Sequence, residues 1–129
     1  MRITFLYAAL LALVFVALSV RTLRLRRRLR ITVGDSGNEA MLRAMRVHAN
    51  FAEYVPLSLL LFYFVEQSGA RPAIVHALGL LLLVGRILHA WGVSQVREDY
   101  RFRVAGMGLT LFPIIAASLR LLYASLPGL

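Results

Sequence analysis

The sequence predicts an all-α membrane protein, an antiparallel bundle of four transmembrane helices. Three observations carry this. The chain is 60% hydrophobic over 129 residues, well above the apolar share of an ordinary soluble domain. Its apolar residues gather into four runs separated by three short polar connections. All fifteen basic residues are arginines, and most of them lie between the runs. The length fits one small domain, residues 1–129.

The first run, Ile3–Val20, is nearly uninterrupted and leads directly into "RTLRLRRRLR". No small-residue cleavage site precedes that block, so the run reads as a retained span over about residues 3–26 rather than a signal peptide. The second run, Tyr54–Val65, is too short to cross alone, because a span needs roughly 20 residues for about 30 Å of hydrocarbon. It reaches that length only if the polar stretch before it is helical and partly inside the bilayer. "SGNE" (Ser36 to Glu39) has capping-box spacing, which starts this helix near Gly37 and runs it to residue 67. The third run begins at Ala73, after Pro72 in a first-turn position, and passes Arg86 to about Val93, a helix over 72–94. The fourth, Val104–Leu119, sits in a helix over 102–124, with Pro113 as a kink. Connections this short make successive helices antiparallel neighbours.

Arginine placement orients the bundle. Eight arginines lie between Arg21 and Arg46 and four between Arg86 and Arg103, against Arg2, Arg71 and Arg120 on the other side. Both arginine-rich connections are therefore expected in the cytoplasm and both termini outside it. The net charge of +9 follows this positive-inside pattern, so the expected partner is the bilayer and not nucleic acid. No cysteine is present, which excludes a disulfide framework, a thiol nucleophile and a thiolate metal site; no metal site is read from the sequence. Trp91 and Tyr100 fit the aromatic belt at an interface.

The second helix opens with "RAMRVHANFAEYVP". At about 100° per residue from Arg43, Arg46, Asn50 and Glu53 fall within a stripe about 80° wide, and His48 lies on another side. Counting from Glu66 at the outer boundary puts Glu53 roughly 10 Å inside the inner boundary. An ionised carboxylate facing lipid there costs on the order of 3 kcal/mol, so it must face protein, water or a ligand. Pro56 cannot donate to the carbonyl of Ala52, which leaves a spare acceptor beside Glu53. Arg86 and His89 share a face of the third helix at similar depth. The residues alone allow a Glu53–Arg86 ion pair that fixes packing, a ligand site, or both. Arginines and an asparagine at the inner interface suit an anionic molecule from the cytosol, and a wall open to lipid admits a hydrophobic co-substrate.

These segments resemble the MAPEG superfamily, the membrane-associated proteins of eicosanoid and glutathione metabolism, and especially its small bacterial members. "RVHANFAEYVP" is similar to the family's helix-two motif, met here by Arg46, Asn50, Glu53, Tyr54 and Pro56. "GRILHAWG" resembles its third helix and "RFRVAGMG" the start of its fourth. The resemblance implies a homotrimer in the inner membrane with glutathione bound between subunits near the cytoplasmic side. It implies that Arg46, Asn50 and Glu53 contact glutathione, that His48 reaches the neighbouring site, and that His89, where prostaglandin E synthases also carry a histidine, belongs to the glutathione-binding set. It also implies that Arg103, or Arg101 second, stabilises the thiolate, with Arg26 or Arg27 contributing from the first helix. The family's leukotriene-C synthases carry two tyrosines on helix three, where this chain has His89 and Val93. Its prostaglandin E synthases carry a serine after the helix-four arginine, where this chain has Val104.

The expected function is therefore a glutathione-dependent membrane transferase or peroxidase acting on a lipophilic electrophile or hydroperoxide. The alternative is a non-catalytic scaffold or ligand-binding protein of the same fold. A transporter is disfavoured because no inverted repeat or broken-helix pair is seen.

Overall fold

The computed structural model describes residues 2–126. Four helices account for nearly all of them: α1 (Ile3–Leu29), α2 (Glu39–Gln67), α3 (Pro72–Ser94) and α4 (Tyr100–Ser125). α1 runs through most of the arginine block to Leu29, because arginine is a good helix former. It stops where Arg30 turns left-handed and its N–H bonds back to the carbonyls of Arg26 and Arg27.

α2 starts two residues later than the capping-box reading. Ser36 and Gly37 take positive φ values of 50° and 73°, which no N-cap adopts. Asn38 is extended and caps instead, its side chain accepting from the Met41 N–H at 3.0 Å. Pro72 opens α3. Asp99 caps α4 by accepting from the Arg101 N–H at 3.0 Å, two residues ahead of the expected start. α2 continues through Pro56 and α4 through Pro113.

α2 and α3 pack together at the centre, with α1 on one side and α4 on the other; among the described residues no Cα of α1 comes within 8 Å of one of α4. The core holds Leu11, Phe51, Val55, Phe62, Leu78 and Leu82. α3 and α4 pack most extensively, and glycine is the reason. A Cβ on Gly106 would stand 2.6 Å from the His89 backbone nitrogen, and one on Gly85 would stand 2.9 Å from the Gly106 carbonyl oxygen. Small residues at such crossings let backbones approach closely inside a membrane. At the end of the bundle that holds the α1 N-terminus, Glu66 of α2 accepts the N–H groups of Ile3 (2.5 Å) and Thr4 (2.9 Å), satisfying donors that α1 cannot pair internally.

α1, α3 and α4 are long and apolar enough to cross a membrane. α2, with 29 residues, is about 43 Å long, but its polar first half keeps it outside that set by composition. Large hydrophobic side chains cover the outside of the bundle, among them Leu13, Leu80 and Phe112. Water would penalise such a surface, and hydrocarbon does not.

Candidate functional site

The polar seam of α2 divides in three dimensions. Its buried face carries Met41, Ala44, Val47, Phe51 and Val55, centred near 90° if Arg43 is set at zero and each residue advances about 100°. Arg43, Asn50 and Tyr54 stand at one edge of that face, within about 20° of zero. Arg46 and Glu53, near 300° and 280°, stand almost opposite it, and both are exposed.

The edge residues engage α3. Arg43 donates to the Val93 carbonyl at 3.2 Å, to Glu98 Oε2 at 3.0 Å and to Glu39 Oε1 at 3.0 Å. Arg43 lies in the polar first half of α2, before its apolar run, and these bonds to Glu98 and Glu39 raise its pKa above the ordinary arginine value. Asn50 Oδ1 accepts from Arg86 Nη1 at 2.6 Å. Arg86, only 1% exposed, also donates from Nε to Thr110 Oγ1 at 2.9 Å and from Nη2 to Met107 Sδ at 3.4 Å. Its guanidinium carbon lies 5.7 Å from the Tyr54 ring centroid. Thr110 in turn donates to the Gly106 carbonyl at 2.8 Å.

The Glu53–Arg86 ion pair is therefore not formed. Equal depth was the basis for that pairing, but angle decides it. Arg86 meets the edge of α2 that carries Asn50 and Tyr54, while Glu53 is turned about 60° further from α3 than Asn50. The buried cation is held by an amide, a hydroxyl, a thioether and a ring face. Glu53 has no hydrogen-bond partner among the described residues and is exposed on the outside of the bundle.

A groove of about 280 Å³ lies on the α4 side, at the end of the bundle that holds the α2 N-terminus and the α3–α4 connection, and Arg43, Arg46, Glu98 and Arg103 are among its lining residues. The fold thus brings Arg46 and Arg103 together, 57 residues apart in the chain. Glu98 lies between the arginines with its side chain 6% exposed. Its Oε1 is 3.6 Å from Arg103 Nη1, within ion-pair range but without a hydrogen bond. Glu39 also lines the groove. Three guanidiniums against two carboxylates leave one net positive charge.

The remaining expected residues sit apart. His48 faces α1, with Nε2 2.9 Å from Ser19 Oγ and its ring stacked on Phe15 at 4.7 Å. His89 is buried against α4 beside Gly106. Arg26 donates to the Gly34 carbonyl at 2.9 Å, tying α1 to its own loop. Arg101 is exposed on the first turn of α4 and lines none of this groove. Reading the sequence did not single out Glu98 or Thr110. Glu98 adjoins Asp99 in a polar connection and Thr110 is one hydroxyl in an apolar run, so neither carries a local signal.

Comparison with known proteins agrees with this architecture. The profile described as the MAPEG family matches residues 4–123. The chain is 38% identical over 105 residues to the inner membrane protein YecN of Escherichia coli K12, covering 81% of this chain and 79% of that protein. The YecN of Escherichia coli O6:H1 matches to the same extent. No solved structure gives a significant match. With the family profile running from the first turn of α1 to the last turns of α4, the chain belongs to the MAPEG family.

Proposed function

We propose that this protein is a glutathione-dependent transferase or peroxidase of the inner membrane, acting on lipophilic electrophiles or hydroperoxides. The observation that carries the reading is the convergence of Arg46 and Arg103 with Arg43 and Glu98 in one groove. Glutathione carries two carboxylates and one ammonium, a net charge of about −1 near neutral pH. The groove offers the complementary set, three guanidiniums and two carboxylates. Glu98 Oε1, buried without a hydrogen bond, is placed to accept from an ammonium. At about 280 Å³ the groove is at the small end for a ligand pocket, which fits a site completed by a second copy.

The outward face of α2 supports the same assembly. Glu53 is exposed at membrane depth, where lipid contact costs on the order of 3 kcal/mol. A homotrimer that covers this face, with α2 as the fourth span, removes that cost. The relatives' name, inner membrane protein, supports the location.

Glutathione supplies a thiolate nucleophile when bound. Arg46 and Arg43 would hold its carboxylates, and Arg103 would stand at the sulfur and favour the charged form. Asn50, kept in place by Arg86, would orient the peptide. The lipid-facing wall would admit the second substrate.

The test is glutathione titration of the purified protein, read by near-ultraviolet thiolate absorbance at pH 7. A free thiol has a pKa of about 8.5 and is only a few per cent ionised there. The parent should show bound thiolate. Arg103→Leu should still bind glutathione and lose that absorbance. Equal absorbance in the two refutes the role of Arg103, and no binding to the parent refutes the thiol site.

A second reading is a non-catalytic member of the fold. Two observations favour it: the Asn50 carbonyl oxygen already accepts from Arg86, and His89 and Val93 stand where the tyrosines of some members would be. Glutathione binding without thiolate absorbance in the parent would select it.

A further inference from the structure

We propose that a second cavity, on the opposite side of the α2–α3 pair, binds the phosphate headgroup of an anionic phospholipid from the cytoplasmic leaflet. The inference is independent of the thiol site. This cavity, of about 390 Å³, is lined by Arg21, Arg24, Leu25, Arg28, Ala40 and Ser94. The two cavities divide consecutive residues between them: Glu39 and Val93 line the groove facing α4, while Ala40 and Ser94 line the one facing α1.

Charge separates the two as well. In the groove on the α4 side, Glu39 and Glu98 offset the arginines. Here no carboxylate lines the cavity, and among the described residues none lies within ion-pair distance of Arg21, Arg24 or Arg28. Arg21 is held in place, its Nη1 donating to Ser94 Oγ at 2.6 Å. Three guanidiniums gathered without an anion repel one another, and a phosphate, which accepts bidentate bonds from arginine, relieves this.

Depth and the face of α1 identify the phosphate as a lipid's. α1 begins at Ile3, so Arg21 lies about 27 Å along it, near the inner edge of about 30 Å of hydrocarbon. Arg24 and Arg28 lie about 4.5 and 10.5 Å further, and so bracket a headgroup layer roughly 5–7 Å thick. The three arginines fall within an arc of about 60° on α1. Leu6, Leu10 and Leu13 continue the same stripe towards the other end of the helix, and all three are exposed. A phosphate in the cavity would therefore have an apolar track below it for acyl chains. Arg26 and Arg27 face elsewhere on the helix and line a different depression.

The test is native mass spectrometry of the full chain, released from micelles containing phosphatidylglycerol or phosphatidylcholine with the same acyl chains. The parent should retain phosphatidylglycerol about tenfold over phosphatidylcholine. Arg24→Gln/Arg28→Gln should bring the two within about twofold, while Arg30→Gln/Arg97→Gln, which removes as much charge outside the cavity, should leave the preference intact. A parent that holds both lipids equally overturns the proposal whether or not the double variant folds. So does a preference unchanged in Arg24→Gln/Arg28→Gln. A third arm adds glycerol 3-phosphate to the parent. It should not displace the lipid; its retention in place of phosphatidylglycerol would make this a site for soluble phosphates and refute the lipid assignment.

Discussion

Thr110→Val tests whether the buried guanidinium of Arg86 holds α3 to α4. The substitution keeps the shape of the side chain and removes the oxygen that accepts from Arg86 Nε at 2.9 Å. Two magnitudes compete. A hydrogen bond to a charged group contributes about 1.5–3 kcal/mol in water-soluble proteins. Hydrogen bonds between helices inside a membrane average about 0.6 kcal/mol and reach about 1.7. Arg86 is 1% exposed, and no carboxylate lies within 4 Å of it among the described residues, so little water can replace the lost acceptor. The expected loss is therefore at the top of the membrane range, about 1–2 kcal/mol. It should depend on the cation. In an Arg86→Met background Thr110 keeps only its bond to the Gly106 carbonyl, and the same substitution should cost less than about 0.5 kcal/mol. The assay is reversible unfolding in mixed micelles by dodecyl sulfate titration, followed by Trp91 fluorescence, on the parent, both single variants and the double variant. A coupling energy of about 1 kcal/mol is expected. Equal costs of Thr110→Val in both backgrounds would refute the reasoning and leave Arg86 a passive space-filler.

Two further outcomes follow from the same geometry. If both termini lie outside the cytoplasm, as the arginine placement predicts, Ser36→Cys should react with a membrane-impermeant thiol reagent only from the cytoplasmic side and Ser68→Cys only from the other; labelling of both from one side refutes the orientation. If Glu53 is covered by a second copy, native mass spectrometry in detergent should show a trimer, and a monomer that still binds glutathione refutes a shared site.

Much of the fold was legible because bilayer thickness and hydropathy act on local sequence. Four apolar runs with short connections are enough to define four antiparallel helices, and the observed bounds differ by two or three residues at the ends where a cap decides. At the start of α2 the spacing of "SGNE" pointed to Ser36, but positive φ at Ser36 and Gly37 moved the cap to Asn38. Capping depends on backbone conformation, which spacing does not encode.

The candidate site was legible in part. Helical spacing put Arg43, Arg46, Asn50 and Glu53 on one stripe and His48 off it; the structure keeps His48 apart but splits the stripe, with Arg43 and Asn50 engaged and Arg46 and Glu53 exposed. What spacing could not supply was the direction of α3. Depth along the membrane made Glu53 and Arg86 look like partners, yet a helix angle of about 60° gives Arg86 to Asn50 and leaves Glu53 facing outward. The meeting of Arg46 with Arg103 and Glu98, and the parting of Arg21, Arg24 and Arg28 from Arg26 and Arg27, likewise wait on how the helices turn towards one another. Sequence sets which residues share a helix face and how deep they lie, because both follow from a fixed rise and rotation per residue. Which faces meet is decided by packing, here by glycines that draw α3 and α4 into backbone contact.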